Sequence, residues 1–132
     1  MYYLDTNICI HFLNGTRITI LEKLATLDQR EVMIPSVVTA ELFYGAEKSV
    51  KRSRNLKLLE TFLSMYAVAS FDAAAAFHYG HLRATLERAG QTIGGNDLLI
   101  AATALANKAV LVTNNVREFS RIEGLSIEDW TL

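Results

Sequence analysis

A chain of 132 residues is one domain's worth of polypeptide, and its 51% hydrophobic content can fill a sizeable core. A formal net charge of -1, from 13 Lys and Arg against 14 Asp and Glu, excludes a generally basic polyanion binder; nucleic acid would have to be met by local positive charge or by a metal. No apolar run reaches the roughly 18 to 20 residues of a membrane span, the N-terminus does not read as a secretion signal, and Cys9 has no partner for a disulfide, so a cytoplasmic protein is expected.

Met1 to Leu4 is an apolar run too short for a helix and suited to a buried strand, ended by Asp5. Asn7 to Leu13 reads as a helix broken by Asn14-Gly15, and Thr16 is placed to cap a second helix through Leu27. Glu31 to Ile34 reads as a strand closed by Pro35, with Ser36 as the cap of a helix to about Lys48. The stretch KSVKRSRNLK, residues 48 to 57, carries five basic residues and no acid, and leads through a loop into a helix ending near Met65.

Tyr66 to Ser70 suits a brief strand, and Asp72 caps a long helix from Ala73 to Ala89 that Gly90 ends. A loop over Gln91 to Gly95 leads to an Ala- and Leu-rich helix from Asp97 to Asn107. The strand AVLVT at 109 to 113, a polar turn, a helical turn around Glu118-Phe119 and an edge strand near Ser126 to Trp130 complete the chain. Short buried strands alternating with amphipathic helices predict an α/β protein, a three-layer α/β/α arrangement with a central parallel sheet, and no linker divides residues 1 to 132.

Open parallel sheets place ligand sites at the carboxyl ends of their strands, which directs attention to Asp5, to the turn Thr113-Asn114-Asn115, and to Glu41 about one and a half turns into the helix after the second strand. Asp97 follows two glycines that let the backbone approach closely, but its position in sequence leaves open whether it reaches the same edge. Carboxylates gathered in one pocket repel one another unless a cation sits between them, and their hard oxygens suit Mg²⁺ or Mn²⁺. Each acid also has a plain structural reading: Asp5 as a helix cap, Asp97 as a first-turn acid favoured by the helix dipole, Glu41 as a solvent-facing helix residue. His11, His78 and His81 form no ligand pattern with Cys9, which reads as a small buried hydrophobe. The basic run is most simply a solvated face, and its lack of acids leaves RNA contact open.

Four blocks in register, LDTNICI, PSVVTAELFYGA, GGNDLLIAATAL and LVTNNVREFSRI, resemble the PIN-domain ribonucleases, and more closely the VapC-type toxins of bacterial toxin-antitoxin pairs. The resemblance implies a PIN-like fold and a metal-dependent endoribonuclease in which Asp5, Glu41 and Asp97 hold Mg²⁺ or Mn²⁺. It implies that Thr6, Asn7 and Thr113 help to order the site, along with Asn115, which stands where a fourth acid is frequent; Glu118 is a candidate substitute. It further implies a homodimer, an RNA substrate with tRNA among the candidates, and a cognate VapB-type antitoxin whose C-terminal segment lies across the acidic pocket. Helices between Thr16 and Met65 are the expected contact surface.

Two other readings compete. A phosphatase or phospho-accepting domain also puts an acid after its first strand, but phosphatases of that kind want a second acid two residues on, where Asn7 stands. A PIN module that binds metal or antitoxin without catalysis is the second, since fold alone does not carry activity.

Overall fold

The first strand is short because Asp5 ends it. In the computed structural model, which describes residues 1–132, β1 spans Tyr2–Leu4 and α1 follows at once over Thr6–Asn14. The Asp5 backbone is extended, and its side chain accepts from the Thr6 amide, so the acid that ends the strand also starts the helix.

Gly15, at φ +64°, ends α1 in the left-handed region that glycine adopts without strain. This turn changes the expected role of Thr16: its amide donates to the His11 carbonyl and its hydroxyl pairs with His11 Nδ1 at 2.8 Å. Helix α2, Ile18–Ala25, therefore begins after Arg17 with no side-chain cap. A single 3₁₀ turn at Gln29–Glu31, capped by Asp28, takes Glu31 out of the expected strand, and β2 runs Val32–Pro35.

Helix α3 is Ser36–Glu47 and α4 is Arg52–Leu63. Ser36 is the first helical residue rather than the cap, and its hydroxyl oxygen accepts from the Phe71 amide at 3.1 Å, tying the start of α3 to the chain beyond the next strand. That strand, β3, is Ala67–Ala69. Helix α5, Ala73–Arg88, has the expected Asp72 cap, whose Oδ1 accepts from the Ala75 amide at 3.0 Å. Helix α6 is Gly95–Ala106, β4 is Val110–Val112, α7 is Val116–Phe119 and β5 is Ser126–Glu128.

All five strands are parallel, in the order β3-β2-β1-β4-β5. The expected parallel sheet is present, and helices cover it to complete the α/β/α layers. β1 is central, with Tyr3 beside Met33 on one flank and beside Leu111 on the other. The chain crosses to β2 on one side and returns to β4 on the other, so the strand order reverses at the end of β1, where open α/β sheets bind ligands.

The core is built from Leu4, Ile8, Ile34, Leu111, Val112 and Phe119, all without solvent exposure, and from α6, whose Ile100 to Ala104 are fully buried. The small side chains of α6 let it lie close against α5 and the sheet. Its one polar core group, Thr103, donates to the Leu99 carbonyl at 2.8 Å, and no buried side-chain polar atom in the protein lacks a partner. Past β5 the chain folds back, burying Trp130 against Tyr2 at 5.3 Å between ring centroids, while the Thr19 hydroxyl donates to the Trp130 carbonyl.

Candidate active site

Asp5, Thr6, Asn7, Glu41, Asp97, Asn114 and Asn115 line one cleft of about 340 Å³ that contains no hydrophobic residue. It opens at the carboxyl end of β1. The structure thus brings together every acid singled out from the sequence, Asp97 included, which the first turn of α6 carries to this edge.

Asp5 is held most firmly. Its carboxylate is buried and accepts from the Thr6 amide at 2.8 Å through Oδ1 and from the Thr113 hydroxyl at 2.7 Å through Oδ2. Thr113, fully buried just past β4, orders Asp5 from behind the cleft wall. Burial raises the Asp5 pKa, the Thr113 and Thr6 bonds lower it, and the nearby Glu41 charge raises it again, leaving it above the ordinary carboxylate range. The Thr6 hydroxyl donates to Glu41 Oε1 at 2.9 Å, so one residue holds two acids through two different groups. Asn7 is exposed at the rim.

On the opposite wall, the Asn115 amide lies between Asp97 Oδ2 at 3.5 Å and Glu118 Oε2 at 3.1 Å. Its backbone N–H donates to the Thr113 hydroxyl oxygen at 3.0 Å, linking this wall to Asp5 through a single threonine. Both residues that could fill the fourth acidic position are therefore beside Asp97. Asn115 contributes an uncharged donor and Glu118 the carboxylate. Asn114, which the sequence presents only as part of a turn, also lines the cleft; its place directly after the buried Thr113 at the end of β4 is the signal that marks it.

Asp97 shows the strain of this gathering. Burial, then the Asp5 charge, then proton sharing and repulsion with Glu118 and the charge of Glu41 push its pKa to about 7. A carboxyl near neutrality in a polar cleft is where a cation or an exchangeable proton has the most effect. The donor set is all oxygen, the kind hard divalent ions take. No three acidic, His or Cys side chains are placed to surround an ion directly, so an ion here would keep much of its water, as Mg²⁺ does when it binds through one or two carboxylates.

A second depression, apolar and of about 260 Å³, lies between α1, α3 and α4, with Ile10, Leu13, Leu42, Leu58 and Leu59 in its lining. Glu41 lines this groove as well as the acidic cleft. Cys9 lies on the buried face of α1, and burial raises its thiol pKa far above the ordinary value; it does not line the cleft.

Comparison with known proteins agrees with this geometry. The PIN domain family matches residues 2–125. Ribonuclease VapC2 of Rickettsia felis is 45% identical over 131 residues, and tRNA(fMet)-specific endonuclease VapC of Shigella flexneri is 45% identical over 130; each alignment covers 98% of both chains. Among solved structures, VapBC2 from Rickettsia felis bound to a DNA fragment from its promoter has a TM-score of 0.92 at 45% identity over 98% of each chain. DNA-bound VapBC from Salmonella typhimurium has a TM-score of 0.93 at 43% identity over 98% of this chain and 97% of that one. A cleft of acids at the strand-order reversal, a PIN domain over nearly the whole length and relatives at this identity place the chain in the PIN-domain family, among the VapC ribonucleases.

Proposed function

We propose that this ribonuclease is the toxin of a type II toxin-antitoxin pair, a metal-dependent endonuclease that cuts tRNA in the cytoplasm and is silenced by a cognate VapB-type antitoxin. The all-polar cleft with Asp5, Glu41 and Asp97 on its walls carries the catalytic part of this reading. Relatives at 45% and 43% identity named as tRNA(fMet)-specific endonucleases support the substrate class, and solved VapBC complexes support the antitoxin.

Asp5, Glu41 and Asp97 are the residues that would hold Mg²⁺ or Mn²⁺, one or two of them directly and the rest through water on the ion. When bound, the cation supplies positive charge for the phosphodiester and activates the water for in-line attack. Thr113 and the Thr6 amide keep the Asp5 oxygens fixed, the Thr6 hydroxyl aims Glu41, and the Asn115 side-chain amide donates to both Asp97 and Glu118. Asp97 carries its proton on Oδ in part of the population near pH 7 and releases it when positive charge arrives.

The groove between α1, α3 and α4 suits the apolar face of an antitoxin helix, and Glu41 leads from it into the cleft. Of the helices between Thr16 and Met65 expected to form the contact surface, α3 and α4 line this groove, together with Ile10 and Leu13 of α1. The same family resemblance supports a homodimer.

The test uses purified protein, a tRNA(fMet) transcript and Mn²⁺. Cleavage should require the metal and be lost in Asp5→Ala and Asp97→Ala, with Mn²⁺ binding measured by electron paramagnetic resonance weakened in the same variants. Full metal-dependent cleavage by Asp97→Ala would overturn the assignment.

A further inference from the structure

An acidic cleft repels the polyanion it is meant to cut. The protein as a whole does not compensate, with a net charge of -1, so attraction must come from a local concentration of cations. Five of the 13 basic residues fall between Lys48 and Lys57, with no acid among them. In the fold they form the turn after α3 and the start of α4.

Two of the five are already engaged: Arg52 pairs with Glu47, and the Lys48 ammonium lies over the Tyr44 ring, 4.7 Å from its centroid. Lys51, Arg54 and Lys57 are exposed and belong to no ion pair. Their placement is unfavourable for the helix itself, because Lys51 and Arg54 stand at the amino end of α4, where the macrodipole disfavours cations and no side chain caps the helix. Local stability does not account for three free cations here.

For two of them, direction does. Lys51 precedes Asn55 by one turn, a relation confirmed by the Asn55 amide donating to the Lys51 carbonyl at 2.9 Å, and Arg54 precedes Leu58 by the same interval. Asn55 and Leu58 line the groove whose far wall includes Glu41, and Glu41 is also a wall of the acidic cleft. Lys51 and Arg54 therefore stand along the side of α4 that borders a depression leading to the acids, whereas Lys57, two residues past Asn55 and two before Leu59, falls on the opposite side of the helix.

We propose that Lys51 and Arg54 form a phosphate-binding rim that receives the RNA backbone on the side of α4 facing the groove and the acidic cleft. The assignment rests on the ribonuclease reading and adds a location for substrate affinity separate from the acids. The rim binds phosphates without reading bases, so its contribution falls with salt.

The experiment compares wild type with the double variant Lys51→Gln, Arg54→Gln on a tRNA(fMet) transcript, with Lys57→Gln as the control on the opposite side of α4. The double variant should raise KM on the order of tenfold at low salt, leave kcat unchanged, and flatten the plot of log affinity against log salt by about 1.4 for two single-stranded phosphate contacts, while Lys57→Gln should leave KM and the slope near wild type. The charge-conserving variant Lys51→Arg, Arg54→Lys should restore KM, which a loss through misfolding would not predict. Equilibrium RNA binding by Asp97→Ala, with and without the rim substitutions, reads the rim even if no RNA is cut, so failure of the ribonuclease reading is distinguishable from failure of this one. Unchanged KM and salt slope would overturn the proposal, as would a variant that loses affinity only for an antitoxin peptide.

Discussion

Replacing Asp97 with Asn removes one negative charge from the cleft and keeps the shape of the side chain. In the metal-free protein the folded state holds the Asp97 proton up to about pH 7, whereas the unfolded chain releases it near the ordinary carboxylate value of 3.8. Between those values the folded state binds more protons than the unfolded state, so this group's stabilisation, complete below about pH 4, is lost as pH rises toward 7. A fully buried carboxyl displaced this far would lose about 4 kcal/mol. Asp97 is only half-buried, and solvent screening reduces the figure to roughly 1–2 kcal/mol. Asp97→Asn should therefore match wild type near pH 4 and exceed it by that amount at pH 8, a rise of roughly 3–8 °C in Tm for a chain of this size. Thermal melts in chelator at both pH values read the difference. Adding Mn²⁺ at pH 8 should narrow or invert it, because wild type gains more from the cation. An Asn variant no more stable than wild type at pH 8 would refute the crowding of acids around Asp97.

Thr113→Val keeps the volume of a fully buried side chain but leaves Asp5 Oδ2 and the Asn115 amide without their shared partner; urea unfolding at pH 7 should show a loss of about 1–3 kcal/mol, with Mn²⁺ affinity falling in parallel. Cys9 has no solvent exposure and a thiol whose pKa burial raises, so a disulfide reagent should label it no faster than the protein unfolds in stopped-flow comparison; immediate labelling of the native protein would contradict the packing of α1 on the sheet.

The parts of the fold that sequence reading recovers are those set by neighbouring residues. Asp72 caps α5 because an N-cap needs only a side-chain oxygen and an amide two or three residues on, and Asp5, at the end of an apolar run, stands at the N-cap of α1 with its side chain accepting from the adjacent Thr6 amide. Thr16 fails as a cap because the left-handed Gly15 turns it back onto His11, a preference that the residue type at position 16 does not reveal. Ser36 is diverted from capping by the Phe71 amide, a partner 35 residues away.

Asp97 shows the same limit within the site. Two helices separate β3 from β4, so the end of the molecule at which α6 begins depends on how α5 and α6 pack together, and its residues alone do not encode this. Resemblance to a family supplied that information; the fold supplies the physical reason. The fourth acidic position was ambiguous between Asn115 and Glu118 because each is reasonable by spacing. In the structure the two are hydrogen-bonded to each other, with Asn115 as the donor.

The Asp5 cap joins two regions that look separate on the surface. Helix α1 starts on an acid of the cleft, and within three turns its residues Ile10, Leu13 and Asn14 form a wall of the apolar groove. If a ligand in the cleft shifts α1, linkage requires a groove occupant that shifts the same helix to act on the cleft by the same coupling free energy. A nine-residue helix anchored at its first turn thus spans both depressions.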